Sequence, residues 1–391
     1  MSLAILTAAC GPLPTTQPTL IGSISIGADL PLSGDDAPDG LPVRDAIELA
    51  IKQAGRLCGA SAHREACLSL TLNALDDVNQ GVHDPATGAK NIRLLTADDR
   101  VVGVVGPLYD SVARSEIPIA NAVGLPIISP ANTDECLTQE PPDGHCGGLA
   151  GRLRTPGPTT YFRVVSTQLA EGLAAADLSF RTLGKRRAFI ADDRSLIGQA
   201  LRREFVERFS HDGGKVVDAP ALAEVVFFAG SDLQAAAALR RDLAGRQPAI
   251  PMVGSHYLAN NQFAKAVGAL APGSYFTVAG VYPPRVQNAG AFRTAYRKTY
   301  GHDPNGLSLQ AFDATNLLFA AVERAIDDAG GNRPSRKQVL AALSGTSNYP
   351  ALMGSLGFDR NGDTTLKLVT AFQWTASTAI NGEFVSQLNV G

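Results

Sequence analysis

Residues 101–133 read VVGVVGPLYDSVARSEIPIANAVGLPIISPANT, and this stretch constrains the fold more than any other part of the 391-residue chain. VVGVV is apolar without alternation, which predicts a strand covered on both faces, the habit of parallel sheets. SVARSEIPIANAVG repeats its apolar residues at helical spacing and stops at Gly124, and LPIIS reads as a second buried strand. Strand, helix and strand in so short a span make a βαβ unit, whose two strands run parallel.

The same alternation surrounds it. IGSISIGADLPLSG is a strand running into a loop, VRDAIELAIKQAG a helix ending at Gly55, LSLTLNALDDV a strand and KNIRLLTADD a short helix. After TTYFRVV the pattern restarts, with LAEGLAAADLSFRTLG, RRAFIADD, LIGQALRREFVERFSHDGG, VVFFAG, SDLQAAAALRRDLAG and IPMVGS alternating helix and strand. LQAFDATNLLFAAVERAIDDAG is the longest internal helix, and MGSLGFDRNGDTTLKLVTAFQW predicts two strands joined at Arg-Asn-Gly-Asp. The expected class is α/β with two lobes, each built on a parallel-core sheet, and the length suits two domains. Placing the late hairpin in one lobe's sheet makes the chain cross between lobes more than once, so the crossovers act as a hinge.

A net charge of -3 with no basic, aromatic-studded run argues against nucleic acid. No apolar run reaches the roughly 18 residues of a membrane span. The opening MSLAILTAAC resembles the end of a lipoprotein signal, with Thr7 where a leucine is usual, and points to an exported protein with a possible lipid tether through Cys10; the alternative is a chain end carrying an incidental thiol. Residues 1–20 are assigned to this segment. The other cysteines fall in local pairs, Cys58 with Cys67 and Cys136 with Cys146. Pairing by proximity implies two short disulfide loops and an oxidising compartment, with zinc as the rival reading although neither pair has knuckle spacing.

Small molecules bind beyond the C-terminal strand ends of open parallel sheets. Four ends carry polar residues: LPLSGDDAPDG, GPLYDS, SPANT and GSHY. Helices starting near Asp110 or Ser111 and after Thr133 leave amides for an anion, the dipole adding about 0.3–1 kcal/mol. PANT thus reads as a rim gripping a small acid or zwitterion, against the plainer reading of Asp110, Ser111 and Thr133 as helix caps. No nucleophile elbow, phosphate loop, dinucleotide fingerprint or HExxH site is present, so no cofactor or metal is expected and an enzyme, at most a hydrolase using Asp39, Asp110 and His256, is disfavoured.

IGADLPLSGDDAPDG, DPATGAKNIRLL, GPLYDS with IISPANT, YFRVV, IADDRSLIGQALRREF, LQAFDATNLLFAAVERA and MGSLGFDRNGD resemble, in order, the bacterial periplasmic binding proteins for leucine, isoleucine and valine. More widely, the chain is similar to type I solute-binding proteins of ABC importers over about residues 21–375. The resemblance implies two Rossmann-like lobes joined by three hinge crossovers, residues 21–164 plus 281–350 and residues 165–280 plus 351–391. It implies a monomeric carrier that closes on a small amino acid or related carboxylate without converting it and docks on permease subunits; a sensing subunit of a receptor is the alternative. Ala131 and Thr133, with Asn132 between them, fall where the family holds the amino acid's carboxylate and ammonium. Asp110, with Ser111 beside it, replaces a carboxylate-binding serine, and Asp39 replaces an aromatic on the first loop. Ser231 falls near a second-lobe tyrosine, and His256 at or beside the acid that pairs with the ammonium. The chain is therefore expected to lack that second-lobe carboxylate, with the ammonium met from the first lobe. Tyr109, Tyr257 and Phe312 are wall candidates, Phe312 being equally a core candidate, and Gln168 is the polar residue past the first crossover.

Overall fold

The computed structural model describes residues 18–154, 159–246, 250–375 and 382–391. Cys10, the proposed tether point, lies outside them. The first sheet uses β1 (Thr19–Leu30), β2 (Arg56–Cys58), β3 (Ala66–Asp76), β4 (Val101–Val105), β5 (Ile127–Ser129) and β6 (Tyr161–Arg163) in the order β2-β3-β1-β4-β5-β6. All neighbours are parallel except the short edge pair β2/β3. The second sheet uses β7 (Arg187–Asp192), β8 (Lys215–Val216), β9 (Val225–Ala229), β10 (Met252–Gly254), β11 (Ser274–Ala279), β12 (Leu368–Gln373) and β13 (Glu383–Asn389). Its order is β8-β7-β9-β10-β11-β12-β13, parallel as far as β11 and antiparallel for the last two strands.

Helices cover both faces of each sheet, which is why the central strands are apolar throughout. In the first lobe, α1 (Ala37–Ala54) packs on one face and α2 (Pro85–Ala97) and α3 (Asp110–Val123) on the other. VVGVV of β4 is buried at every position. The helices begin and end where local chemistry says they should: the Asp84 carboxylate accepts from the Thr87 amide at 2.8 Å to open α2, and Gly124 in the left-handed conformation closes α3. Gly88 lets α2 approach α3, since a Cβ there would stand 2.5 Å from Val112 Cγ1. In the second lobe, α4 (Leu169–Asp177) and α5 (Leu196–His211) cover one face and α6 (Leu233–Arg246) and α7 (Asn261–Val267) the other.

The chain then returns: α8 (Gly290–Tyr300), α9 (Gly306–Asp328) and α10 (Arg336–Ser344) belong to the first lobe's core, with α9 lying against α1. Leu356 joins that core too, and the second sheet is regained at Leu368. The hairpin predicted over 353–374 does not form as drawn. Ser355–Leu356 pairs with Tyr349–Pro350, Phe358 and Thr364 share one bridge, and β12 pairs with β11 and β13 instead. Asp359 explains this, because its carboxylate takes the amides of Asn361 and Asp363 at 2.8 and 3.0 Å and tightens the turn into a knot rather than a ladder. The chain thus passes between the lobes after β6, after β11 and before β12.

Both disulfides form, Cys58–Cys67 across the β2/β3 pair and Cys136–Cys146 around a loop after β5. Glu135, His145 and these last two sulfurs cluster, but the sulfurs are bonded to each other, which removes the zinc reading of that pair. Among the described residues, no helix is long and apolar enough to cross a membrane.

Behind the first sheet's strand ends, Asp29, Asp77 and Glu116 are each 0 % exposed, and neither carboxylate oxygen of Asp77 has a hydrogen-bond partner. Burial raises Asp29 to about 6 and Asp77 to about 8 and carries Glu116 well above the usual range, with a hydrogen bond to Asp29 raising Glu116 further. A carboxyl whose folded pKa is raised favours the fold below its unfolded value, and that contribution is lost as pH rises through the folded pKa. Asp77→Asn should therefore melt a few degrees above wild type at pH 8 and close to it near pH 4, as calorimetry across that range would show.

Candidate functional site between the lobes

The C-terminal strand ends of both sheets meet around one cavity of about 410 Å³. From the first lobe come Asp110 after β4 and Asp134 and Glu135 after β5; from the second come Ser195, Leu196 and Ile197 after β7 and Tyr257 after β10. Gln168, on the first crossover, lies between them: its amide donates to the Thr133 carbonyl at 2.8 Å, and the Tyr257 hydroxyl donates to its Oε1 at 3.4 Å. A larger groove of about 820 Å³ follows the outer side of α5. Apart from Asp143 its walls come from the second lobe, and no strand end of the first sheet contributes, so the smaller cavity is the site the fold builds.

The residues singled out in the sequence fare differently. Asp110, Gln168 and Tyr257 line the cavity. His256 stands beside Tyr257, with ring centroids 4.1 Å apart. Thr133 is half-buried, and among the described residues its amide and hydroxyl have no partner. Tyr109 and Asp39 form a rim pair, the phenol donating to the carboxylate at 2.9 Å while the ring stacks on His83 at 3.6 Å. Ser111 is exposed on the first turn of α3.

Four expectations need correction. The amides of Ala131 and Asn132 do not face the cleft as free donors: both donate to the Ser129 hydroxyl, at 3.1 and 2.9 Å. Asn132 turns inward, 1 % exposed, its Oδ1 accepting from the Tyr161 hydroxyl at 2.8 Å. Ser231 is tied down through its amide, which donates to Asp193 at 2.7 Å, and it does not line the cavity. Phe312 is core, 8 % exposed with its ring 4.6 Å from Phe292. In each case a partner distant in sequence or a short local turn absorbs the group.

A second-lobe carboxylate does lie behind the cleft, Glu171 on α4, but it is taken up by the chain's own donors and does not line the cavity. It is 1 % exposed, and it accepts from the His256 amide at 2.8 Å, from its Nδ1 at 2.9 Å and from the Ala279 amide at 3.1 Å. Burial alone would lower the His256 pKa, yet the charge and hydrogen bond of Glu171, with Asp110 adding to them, raise it. The second lobe therefore presents a histidine held against its own carboxylate. An acid inside the apolar run LAEGLAAA was the available signal.

Other cations around the site are matched in the same way. Arg114 pairs with Asp134. Arg163, 0 % exposed, pairs with Asp363 at 2.6 Å and also donates to the carbonyls of Asn132 and Asp134 at 3.1 and 2.8 Å. His145 bridges Glu135 at 2.7 Å and Asp143 at 2.6 Å, and Arg203 on α5 reaches across from the second lobe to the same Asp143. The disulfide loop of the first lobe thereby touches the second at the cleft margin.

Two α/β lobes, crossed by the chain three times and enclosing a polar cavity at their facing strand ends, define a bilobal solute-binding protein. The chain matches the profile of the family described as periplasmic binding protein over residues 23–379, and it belongs to that family. It is 24 % identical to the Leu/Ile/Val-binding protein BraC3 of Rhizobium johnstonii, covering 98 % of this chain and all of that one. Its fold is similar to that of a leucine-binding protein, LivK, from Thermotoga maritima, with a TM-score of 0.64 at 20 % identity over 94 % of this chain and 99 % of the other. It is also similar to a solute-binding protein from Rhodopseudomonas palustris BisB5 in complex with 3,4-dihydroxybenzoic acid, with a TM-score of 0.62 at 18 % identity over 94 % and 98 %. Membership of that family makes the chain a solute-binding carrier rather than an enzyme.

Glu171→Gln should lower the His256 pKa, because the neutral amide withdraws the charge that favours imidazolium. NMR titration of the ring protons would show the midpoint moving to lower pH, whereas an unmoved midpoint would mean that another group sets it.

Proposed function

We propose that the solute is an amino acid or a close relative whose carboxylate is held by Thr133, through its amide and hydroxyl, and by the His256 imidazolium. Tyr257, Leu196 and Ile197 supply the wall for the remainder of the molecule. What supports this reading is a cavity sized for a small molecule, with the open donors of Thr133 next to its lining residue Asp134 and the His256 ring, its pKa raised, against its lining residue Tyr257. A solute touching both lobes favours the closed form in proportion to its extra contacts there, and that difference is what closes the jaw. Closure is sensed by the cognate permease, with Cys10 as the lipid tether and a single chain as the working unit.

Thermal-shift screening followed by calorimetry against the proteinogenic amino acids should yield at least one ligand. Thr133→Ala should then weaken that ligand by about 1.5–3 kcal/mol, the worth of a hydrogen bond to a charged group. Unchanged affinity would remove Thr133 from the site.

A further inference from the structure

We infer that the cationic nitrogen of the solute seats on Asp110, in the first lobe, and that this contact makes an amine-bearing solute obligatory; the inference rests on the solute-binding reading above. Asp110 lines the cavity, and its Oδ1 is buried without any hydrogen-bond partner. A buried carboxylate oxygen left in that condition is costly unless a donor, best a charged one, arrives to meet it.

Among the described residues no cationic group is free to be that donor, and the hydrogen bond that does act on the Asp110 carboxylate comes from the neutral backbone amide of Asp134. The cations that act on Asp110 are Arg163, Arg114 and His256. Each has a carboxylate of its own, Asp363 for Arg163, Asp134 for Arg114 and Glu171 for His256. Asp110 is the surplus negative charge. Burial, followed by the nearby Asp134 charge, pushes its pKa up to about 6, so at neutral pH it is chiefly ionised and waiting for a partner.

The position of Asp110 sharpens the point. It opens α3, with Tyr109 before it making no side-chain cap, so its own carboxylate occupies the electropositive helix start that would otherwise attract an incoming anion. A solute carrying only a carboxylate meets repulsion there. Asp39, the other acid considered for the cation, is exposed at the rim and already accepts from the Tyr109 hydroxyl, so water and that phenol satisfy it.

The test is calorimetry on the full chain at neutral pH with matched probes: the proteinogenic amino acids, the 2-oxo acids sharing their side chains, and benzoate as an aromatic acid. At least one amino acid should bind, with its 2-oxo acid weaker by roughly 100-fold or more, as expected for loss of a buried charge-assisted contact. Asp110→Asn should cost that amino acid roughly 10-fold or more while the melting temperature does not fall. Tight binding of a 2-oxo acid or benzoate, or full affinity in the Asp110→Asn variant, would overturn the Asp110 assignment and leave solute binding intact. If no probe binds, the amino-acid reading falls together with it. Because the wild-type panel decides the charge requirement by itself, poor folding of the variant does not shelter the inference.

Discussion

The buried guanidinium of Arg163 is the interaction on which the site depends. It lies at the end of β6, fully inside the first lobe, and spends its donors on Asp363, on the Thr138 hydroxyl and on the carbonyls of Asn132 and Asp134. One side chain thereby fixes the loop after β5, the end of the strand that leads into the first crossover, and the segment that leads into the last. Removing one partner of such a buried pair costs about 3–5 kcal/mol because the other charge is left uncompensated. The consequence here goes beyond stability: Thr133 and Asp110 hold their positions in the cleft because the loop beside them cannot drift.

The cleft follows one electrostatic rule, in which nearly every charge is matched within its own lobe before a solute arrives. Glu171 answers His256, Asp134 answers Arg114, and Asp363 answers Arg163. Matched pairs neither pull the lobes together nor drive them apart strongly, which suits a jaw that must open and close. Two features depart from that rule: the Arg203–Asp143 contact, which joins α5 to the disulfide loop across the lobes, and Asp110, which has no cation of its own and whose Oδ1 is buried without a hydrogen-bond partner. The first ties opening to an exposed ion pair of modest worth, and the second gives the solute its point of electrostatic discrimination.

Much of the candidate site was legible in the sequence, and the failures share a cause. Asp110, Thr133, His256 and Tyr257 stood at strand ends, where topology alone directs attention, Gln168 came from the family resemblance, and the structure gathers all five around or beside the cavity. Ala131 and Asn132 were misjudged because a serine two or three residues earlier turned its hydroxyl onto their amides. Phe312 sits on the buried face of a helix whose apolar residues surround nearly its whole circumference, so periodicity did not say which neighbours it meets. Glu171 was overlooked because its partner lies 85 residues away.

From residue order alone came the alternation of strand and helix, the parallel character of the sheets, the two disulfide loops and the strand ends where a solute would sit. These follow from local physics: hydrophobic period, helix caps, glycine at positive φ, and cysteines too close in the chain to avoid each other. The pairing of charges, the inward turn of Asn132, the second-lobe carboxylate and the want of a cation for Asp110 were decided only when distant segments met. Whether a buried polar group is satisfied depends on which atoms surround it in space, and no period along the chain encodes that.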